Sequence, residues 1–143
     1  MNKVARFESL EKLAGGQEAG AARRLAQCLN DLNNKQEELR KLRLYLEDYA
    51  RKSEREDQFV DTARWNNTRQ FLNQLSNAVT VREAEFEAAA ERYRQEVERW
   101  RSCHRQTRAL KLLVDKYCDE ELQALERREQ KELDEQVSRR VVD

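Results

Sequence analysis

Large side chains recur every seven residues through the second half of this 143-residue chain. Proline is absent from the whole sequence, so a single helix can carry the entire column. A heptad column of this length predicts a coiled-coil seam, and a coiled coil has no room for an enclosed active site. The column contains Trp65, Leu72, Val79, Phe86, Tyr93, Trp100, Thr107 and Val114.

The first half of the chain has two heptad columns of its own, three residues apart, as expected for a and d positions. The a column contains Val4, Glu11, Glu18, Leu25, Leu32, Leu39 and Leu46, and the d column contains Phe7, Ala14, Ala21, Cys28, Lys35, Leu42 and Tyr49. The second half adds a d column of Thr68, Leu75, Arg82, Ala89, Glu96, Cys103, Leu110 and Tyr117.

The heptads fade in a charged stretch, residues 53–61, which predicts a turn there. We therefore expect one all-α domain over residues 1–143, with helix one to about residue 53, the turn over about 54–61 and helix two over about 62–137. Asp61 or Thr62 can N-cap the second helix. The fold class is an antiparallel coiled-coil hairpin whose second helix is longer and projects beyond the first.

A turn centred near residue 57 pairs Tyr49 with Trp65 and Leu42 with Leu72. This register places large side chains opposite small ones in its outer layers, which fills a seam of constant width. The rival register is shifted by one heptad and pairs Tyr49 with Leu72. The weak layers of the first register are Glu18 opposite Glu96 and Lys35 opposite Val79.

The two ends of the predicted hairpin differ in character. Gly15, Gly16 and Gly20 each cost a helix about 1 kcal/mol, so we expect the first turns to fray or bend. Beyond the end of helix one, helix two keeps an apolar stripe with no partner in the same chain. Such a stripe is a docking surface or a fraying end. Its main members are Val114, Tyr117, Leu122 and Leu125.

The charge balance argues against two classes of partner. The chain has 28 basic and 28 acidic side chains, so no net positive field attracts nucleic acid or an acidic membrane surface. No apolar run reaches the ~20 residues that a membrane span requires. The first residues contain no apolar stretch typical of a secretory signal, which predicts an intracellular chain with reduced cysteines.

Candidate catalytic chemistry is sparse. His104 is the only histidine, and Cys103 beside it points about 100° away on a helix. Cys118 lies a further ~22 Å along the helix axis, so these residues predict neither a metal site nor a nucleophile–base pair. We interpret Cys103 as a seam residue and His104 as a solvent-exposed one. The sequence predicts no enzyme activity and no cofactor.

One surface near the turn differs from an ordinary heptad edge. The g positions of both helices flank the same side of an antiparallel seam, and here they include aromatic residues where charged ones are usual. Exposed aromatics beside a seam favour protein binding, although a seam widened to include g positions explains them equally well. The apolar set is Leu42, Tyr45, Tyr49, Phe71, Leu75 and Ala78, with Glu38 and Arg82 at its polar rim.

Residues 64–75, Arg-Trp-Asn-Asn-Thr-Arg-Gln-Phe-Leu-Asn-Gln-Leu, resemble the start of the second helix of the FliJ family of the flagellar type III export apparatus. The stripe Leu39, Leu42, Tyr45 and Tyr49 and the end pattern Glu129–Glu135 also fit, so the resemblance covers nearly the whole chain. Glu38 and Arg82 depart from the Gln and His seen at these positions in the family.

The resemblance implies a cytoplasmic stalk, peripheral to the inner membrane through the export apparatus and needed for motility. Its implied partners are the FliI ATPase ring, the cytoplasmic domain of the export gate protein FlhA, FliH and empty export chaperones. The family's gate-binding face corresponds to the apolar set above, and the projecting end is implied to enter the ATPase ring. The alternatives are the equivalent stalk of a virulence injectisome and a chaperone that binds unfolded export substrates.

Overall fold

A computed structural model describes residues 3–56 and 61–142, and all of these except Asp61 lie in two α-helices. Helix α1 spans Lys3–Glu56 and helix α2 spans Thr62–Val142, and the two pack against each other as the heptads predict. Asp61 is the N-cap of α2, because its side-chain Oδ1 accepts a hydrogen bond of 2.8 Å from the backbone N–H of Arg64. Of the predicted turn, residues 54–56 belong to α1 and residues 57–60 lie outside the described residues.

The helices form two compact units, and each unit pairs a segment of α1 with an antiparallel segment of α2. The turn unit is Ala22–Arg99, and the end unit combines Met1–Ala21 with Trp100–Asp143. In the turn unit, Tyr49 contacts Phe71 and Arg24 lies near Glu96. In the end unit, Phe7 contacts Tyr117 and Glu18 contacts His104. Residues that rise in number along α1 therefore meet residues that fall in number along α2.

The buried positions are the a and d positions of the sequence pattern. Every buried hydrophobic residue belongs to one of the four heptad columns, and small side chains are prominent among them because two helices alone cover little space. The buried set is Val4, Ala14, Ala21 and Val114 in the end unit and Leu39, Val79 and Ala89 in the turn unit. The interpretation of the columns as a seam is confirmed.

The first register was wrong by one heptad. The ring of Tyr49 lies 4.7 Å from that of Phe71, next to Leu72, whereas Trp65 is 40% exposed. The shifted register is favoured by electrostatics as well as by geometry, because it separates Glu18 from Glu96 and Lys35 from Val79. Glu18 meets His104 and Glu96 meets Arg24, and Lys35 lies 3.9 Å from Glu85.

Cysteine crosslinking tests this register. In a background without the native thiols, Tyr49→Cys with Leu72→Cys should form an intramolecular disulfide in high yield, and Leu42→Cys with Leu72→Cys should form little. A shift of one heptad moves a residue by about 10 Å along the helix, and a disulfide requires Cα atoms within about 7 Å. Gel mobility under non-reducing conditions reports the yield. Efficient crosslinking of the second pair instead would restore the first register.

The glycines do not interrupt α1. The helix runs continuously from Lys3 through Gly15, Gly16 and Gly20, and no described glycine has a positive φ angle. Within the described part of this segment, Val4 is buried and Phe7 packs on Tyr117, so the heptad contacts extend to the N-terminal side of the glycines. Tertiary packing of the heptad positions on both sides of the glycines outweighs their low helix propensity.

Candidate protein-binding faces

The apolar residues predicted to share one face all belong to the turn unit, and two of them are in contact across the helices. We call Leu42, Tyr45, Tyr49, Phe71, Leu75 and Ala78 the docking face. Phe71 meets Tyr49 with ring centroids 4.7 Å apart and planes at 65°, an edge-to-face contact between the two helices. Moving one heptad away from the turn on each helix places Leu42 opposite Ala78, so the face continues along the seam.

The six residues of the docking face are not equally exposed. Tyr45 is 52% exposed, whereas the other five are half-buried because their inner edges form part of the seam. The sequence left open a binding surface or a widened seam. Phe71 packs edge-on against Tyr49 between the helices, as a widened seam predicts, whereas the Tyr45 ring makes no ring contact within the described residues.

The polar rim of the docking face is an ion-paired group. Arg82 Nη1 lies 3.5 Å from Glu38 Oε2 on the other helix and 2.9 Å from Glu85 Oε2 on its own. Glu85 Oε2 is in turn 3.9 Å from Lys35 Nζ. We call Lys35, Glu38, Arg82 and Glu85 the charged square. From the sequence, only Glu38 and Arg82 were assigned to this rim, and their pairing was not predicted.

The opposite side of the seam carries a shallow groove of about 440 Å³. Leu39 and Phe86 form its floor, and Leu44, which is 46% exposed, forms part of its edge. Arg43 Nη2 lies 2.9 Å from Glu83 Oε1 beside it. Because Leu44 is a large apolar residue near the docking face but not part of it, it provides a matched control for substitutions in that face.

The C-terminal part of α2 lies beyond the end of α1. In the end unit, Tyr117 contacts Phe7, and the ammonium group of Lys3 lies 4.0 Å from the centre of its ring. Every residue from Cys118 to Val142 is exposed. The expectation that Val114 and Tyr117 belong to the projecting stripe therefore needs correction: Val114 is buried and Tyr117 half-buried against α1. Leu122 and Leu125 do project, followed by Leu133 and Val137.

The single histidine takes part in packing. His104 Nδ1 lies 2.7 Å from Glu18 Oε1, and the His104 ring stacks on Trp100 with planes 12° apart. The hydrogen bond from His104, together with one from Thr107, lowers the pKa of Glu18 despite partial desolvation. His104 is thus half-buried, contrary to the sequence interpretation, because the corrected register brings it to α1.

This pair predicts a pH-dependent contribution to stability. Because the folded-state pKa of Glu18 is lowered, its contribution is present above the ordinary glutamate pKa of about 4.3 and is lost as the pH falls through the folded value. Glu18→Gln should therefore lower the urea midpoint at pH 7, and the difference from wild type should shrink at pH 3. Glu91→Gln, at an exposed pair with Arg94, is the control. A difference that is constant with pH would contradict this assignment.

The three thiols differ in exposure. Cys28 and Cys103 are half-buried, whereas Cys118 is exposed, and partial desolvation and the nearby Glu8 carboxylate raise the pKa of the Cys118 thiol. Within residues 3–56 and 61–142, no three His, Cys, Asp or Glu side chains are placed to hold a metal ion. No described helix is long and apolar enough to cross a bilayer.

These features define a class: an α-helical coiled-coil hairpin with exposed apolar side chains beside its seam and on the C-terminal part of α2. The model of the flagellar FliJ protein family matches residues 2–143, and the chain belongs to that family. It is therefore a component of the flagellar protein export apparatus. No curated protein and no solved structure matches the chain.

Proposed function

We propose that this protein is the stalk of the flagellar export apparatus, which links the FliI ATPase ring to the cytoplasmic domain of the gate protein FlhA. The observation that carries the proposal is the docking face, where an exposed Tyr45 lies beside the Tyr49–Phe71 contact on a two-helix scaffold. Clusters of aromatic residues are the usual anchors of protein interfaces. The docking face is the surface for FlhA.

The projecting part of α2 is the second element of the proposal. It offers Leu122 and Leu125 on a helix that α1 does not cover, and it can enter a ring without disturbing the paired segments. A helix that presents spaced apolar anchors fits a groove or a channel lined by a partner. We assign this segment to FliI, and we place FliH and empty export chaperones among the proteins that this stalk meets at the cytoplasmic face of the membrane.

The proposal is tested with purified FliI and the purified cytoplasmic domain of FlhA. A stalk should stimulate FliI ATPase activity at substoichiometric ratios, because one stalk serves a ring of several subunits, and it should bind the FlhA domain directly. A chaperone for unfolded export substrates should do neither and should instead bind unfolded flagellin. That second result would overturn the stalk assignment.

A further inference from the structure

The side of the seam that carries the docking face changes character one heptad further from the turn. The charged square occupies the same heptad positions as the apolar residues that precede it: Lys35 and Arg82 are d residues like Leu42 and Leu75, and Glu38 and Glu85 are g residues like Tyr45 and Ala78. The docking face therefore ends abruptly at four charges on one surface.

The charges of the square alternate in sign both along each helix and across the seam. Nearer the turn, Glu38 of α1 pairs with Arg82 of α2, and further out Lys35 of α1 pairs with Glu85 of α2. Arg82 also pairs with Glu85 along α2, so each helix presents one positive and one negative group in opposite order. The result is a checkerboard with no net charge, which has no long-range field but a definite pattern at contact distance.

The square contributes little to the fold. Its four side chains are between 29% and 50% exposed, so solvent screens the pairs, and exposed ion pairs of this kind contribute little to stability. The same exposure leaves part of each of the four side chains accessible to a partner. A partner that covers the adjacent aromatic residues desolvates these groups and must satisfy them with opposite charges or hydrogen bonds.

We infer that the charged square determines which gate protein the docking face accepts, by requiring a complementary checkerboard of acidic and basic groups on the cytoplasmic domain of the export gate. This inference rests on the proposed function, because the gate domain is the assigned occupant of the docking face. The apolar centre supplies affinity, and the square rejects surfaces whose charges fall in the wrong order. The mechanism acts at short range, so its effect lies mainly in the dissociation rate.

Inversion of the square tests the inference. The variant K35E/E38R/R82E/E85K retains every pair with reversed sign and leaves the net charge unchanged. Its affinity for the FlhA cytoplasmic domain, measured by calorimetry, should fall at least ~10-fold, because like charges then meet across the interface. Its helicity and melting temperature should remain close to those of wild type. The control E91R/R94E inverts an exposed pair on the back of α2 and should bind as wild type.

The outcomes distinguish failure of the charged square as a selector from failure of the docking face as the gate-binding surface. If both inversions bind as tightly as wild type, or both weaken binding equally, the square does not select the partner, although the docking face stands. If the wild-type chain does not bind the gate domain, both the docking-face assignment and the inference fail. If K35E/E38R/R82E/E85K loses helicity, the milder variant E38Q/R82Q tests the inference instead. A loss of affinity for the gate domain with helicity retained supports the inference, and unchanged affinity overturns it.

Discussion

Removal of residues 119–143 is expected to abolish stimulation of the FliI ATPase while leaving binding to the FlhA domain unchanged. The reason is structural: α1 contacts α2 as far as Tyr117, and every described residue of the removed segment is exposed. No buried apolar surface is lost, so the paired helices should keep their stability. ATPase rate against stalk concentration and the melting temperature are the two measurements.

Two full-length variants refine this result. Leu122→Glu with Leu125→Glu places charges on the projecting stripe and should remove most of the stimulation. Leu112→Glu, at an exposed apolar residue within the paired part of α2, is the matched control and should retain it. Full stimulation by the truncated chain would show that the ring recognises another part of the molecule.

Loss of gate binding is expected when Tyr45→Ala is combined with Phe71→Ala. Central aromatic anchors typically contribute 2 kcal/mol or more to an interface, so the pair should weaken binding by about 100-fold or more. Tyr45→Ala alone is the cleaner change, because this ring is half exposed and makes no ring contact within the described part of the chain. Phe71→Ala removes the Tyr49 contact and should also lower the melting temperature by several degrees.

The control for this experiment is Leu44→Ala. Leu44 is nearly as exposed as Tyr45 and lies one residue away in sequence, but it faces the groove on the other side of the seam. It should bind the gate domain as wild type does. A collapse of helicity in Tyr45→Ala would mean that the aromatic ring is a core element, and equal losses in Leu44→Ala and Tyr45→Ala would mean that binding does not use the docking face.

Much of the candidate site was predictable from the sequence because heptad position fixes the side of a helix on which a residue lies. All six residues of the docking face and both rim residues were identified from d and g positions alone. The relation between them was not predictable. The Tyr49–Phe71 contact and the Glu38–Arg82 ion pair depend on which heptad of α1 meets which heptad of α2. Lys35 and Glu85 could be assigned to the site only once the pairing of the heptads of α1 and α2 was known.

The errors share one physical origin. The first register followed from a turn centred near residue 57 and was supported by the match of large residues with small ones. Two long heptad columns satisfy that match nearly as well after a slip of seven residues. In the observed register Trp65 does not face Tyr49 and is partly exposed. His104, which the first register left in solvent, contacts Glu18. The limit of the projecting segment moved from Val114 to Tyr117 for the same reason.

The sequence by itself determined that this chain forms two helices, which stripe of each is buried and which side near the turn carries aromatic residues. These properties follow from a period of seven that does not depend on the partner. Only the tertiary structure decided the register, because cross-helix contacts and charge pairing distinguish two alignments that apolar periodicity leaves equivalent. That choice assembles the charged square beside the docking face and exposes α2 from Cys118 onward.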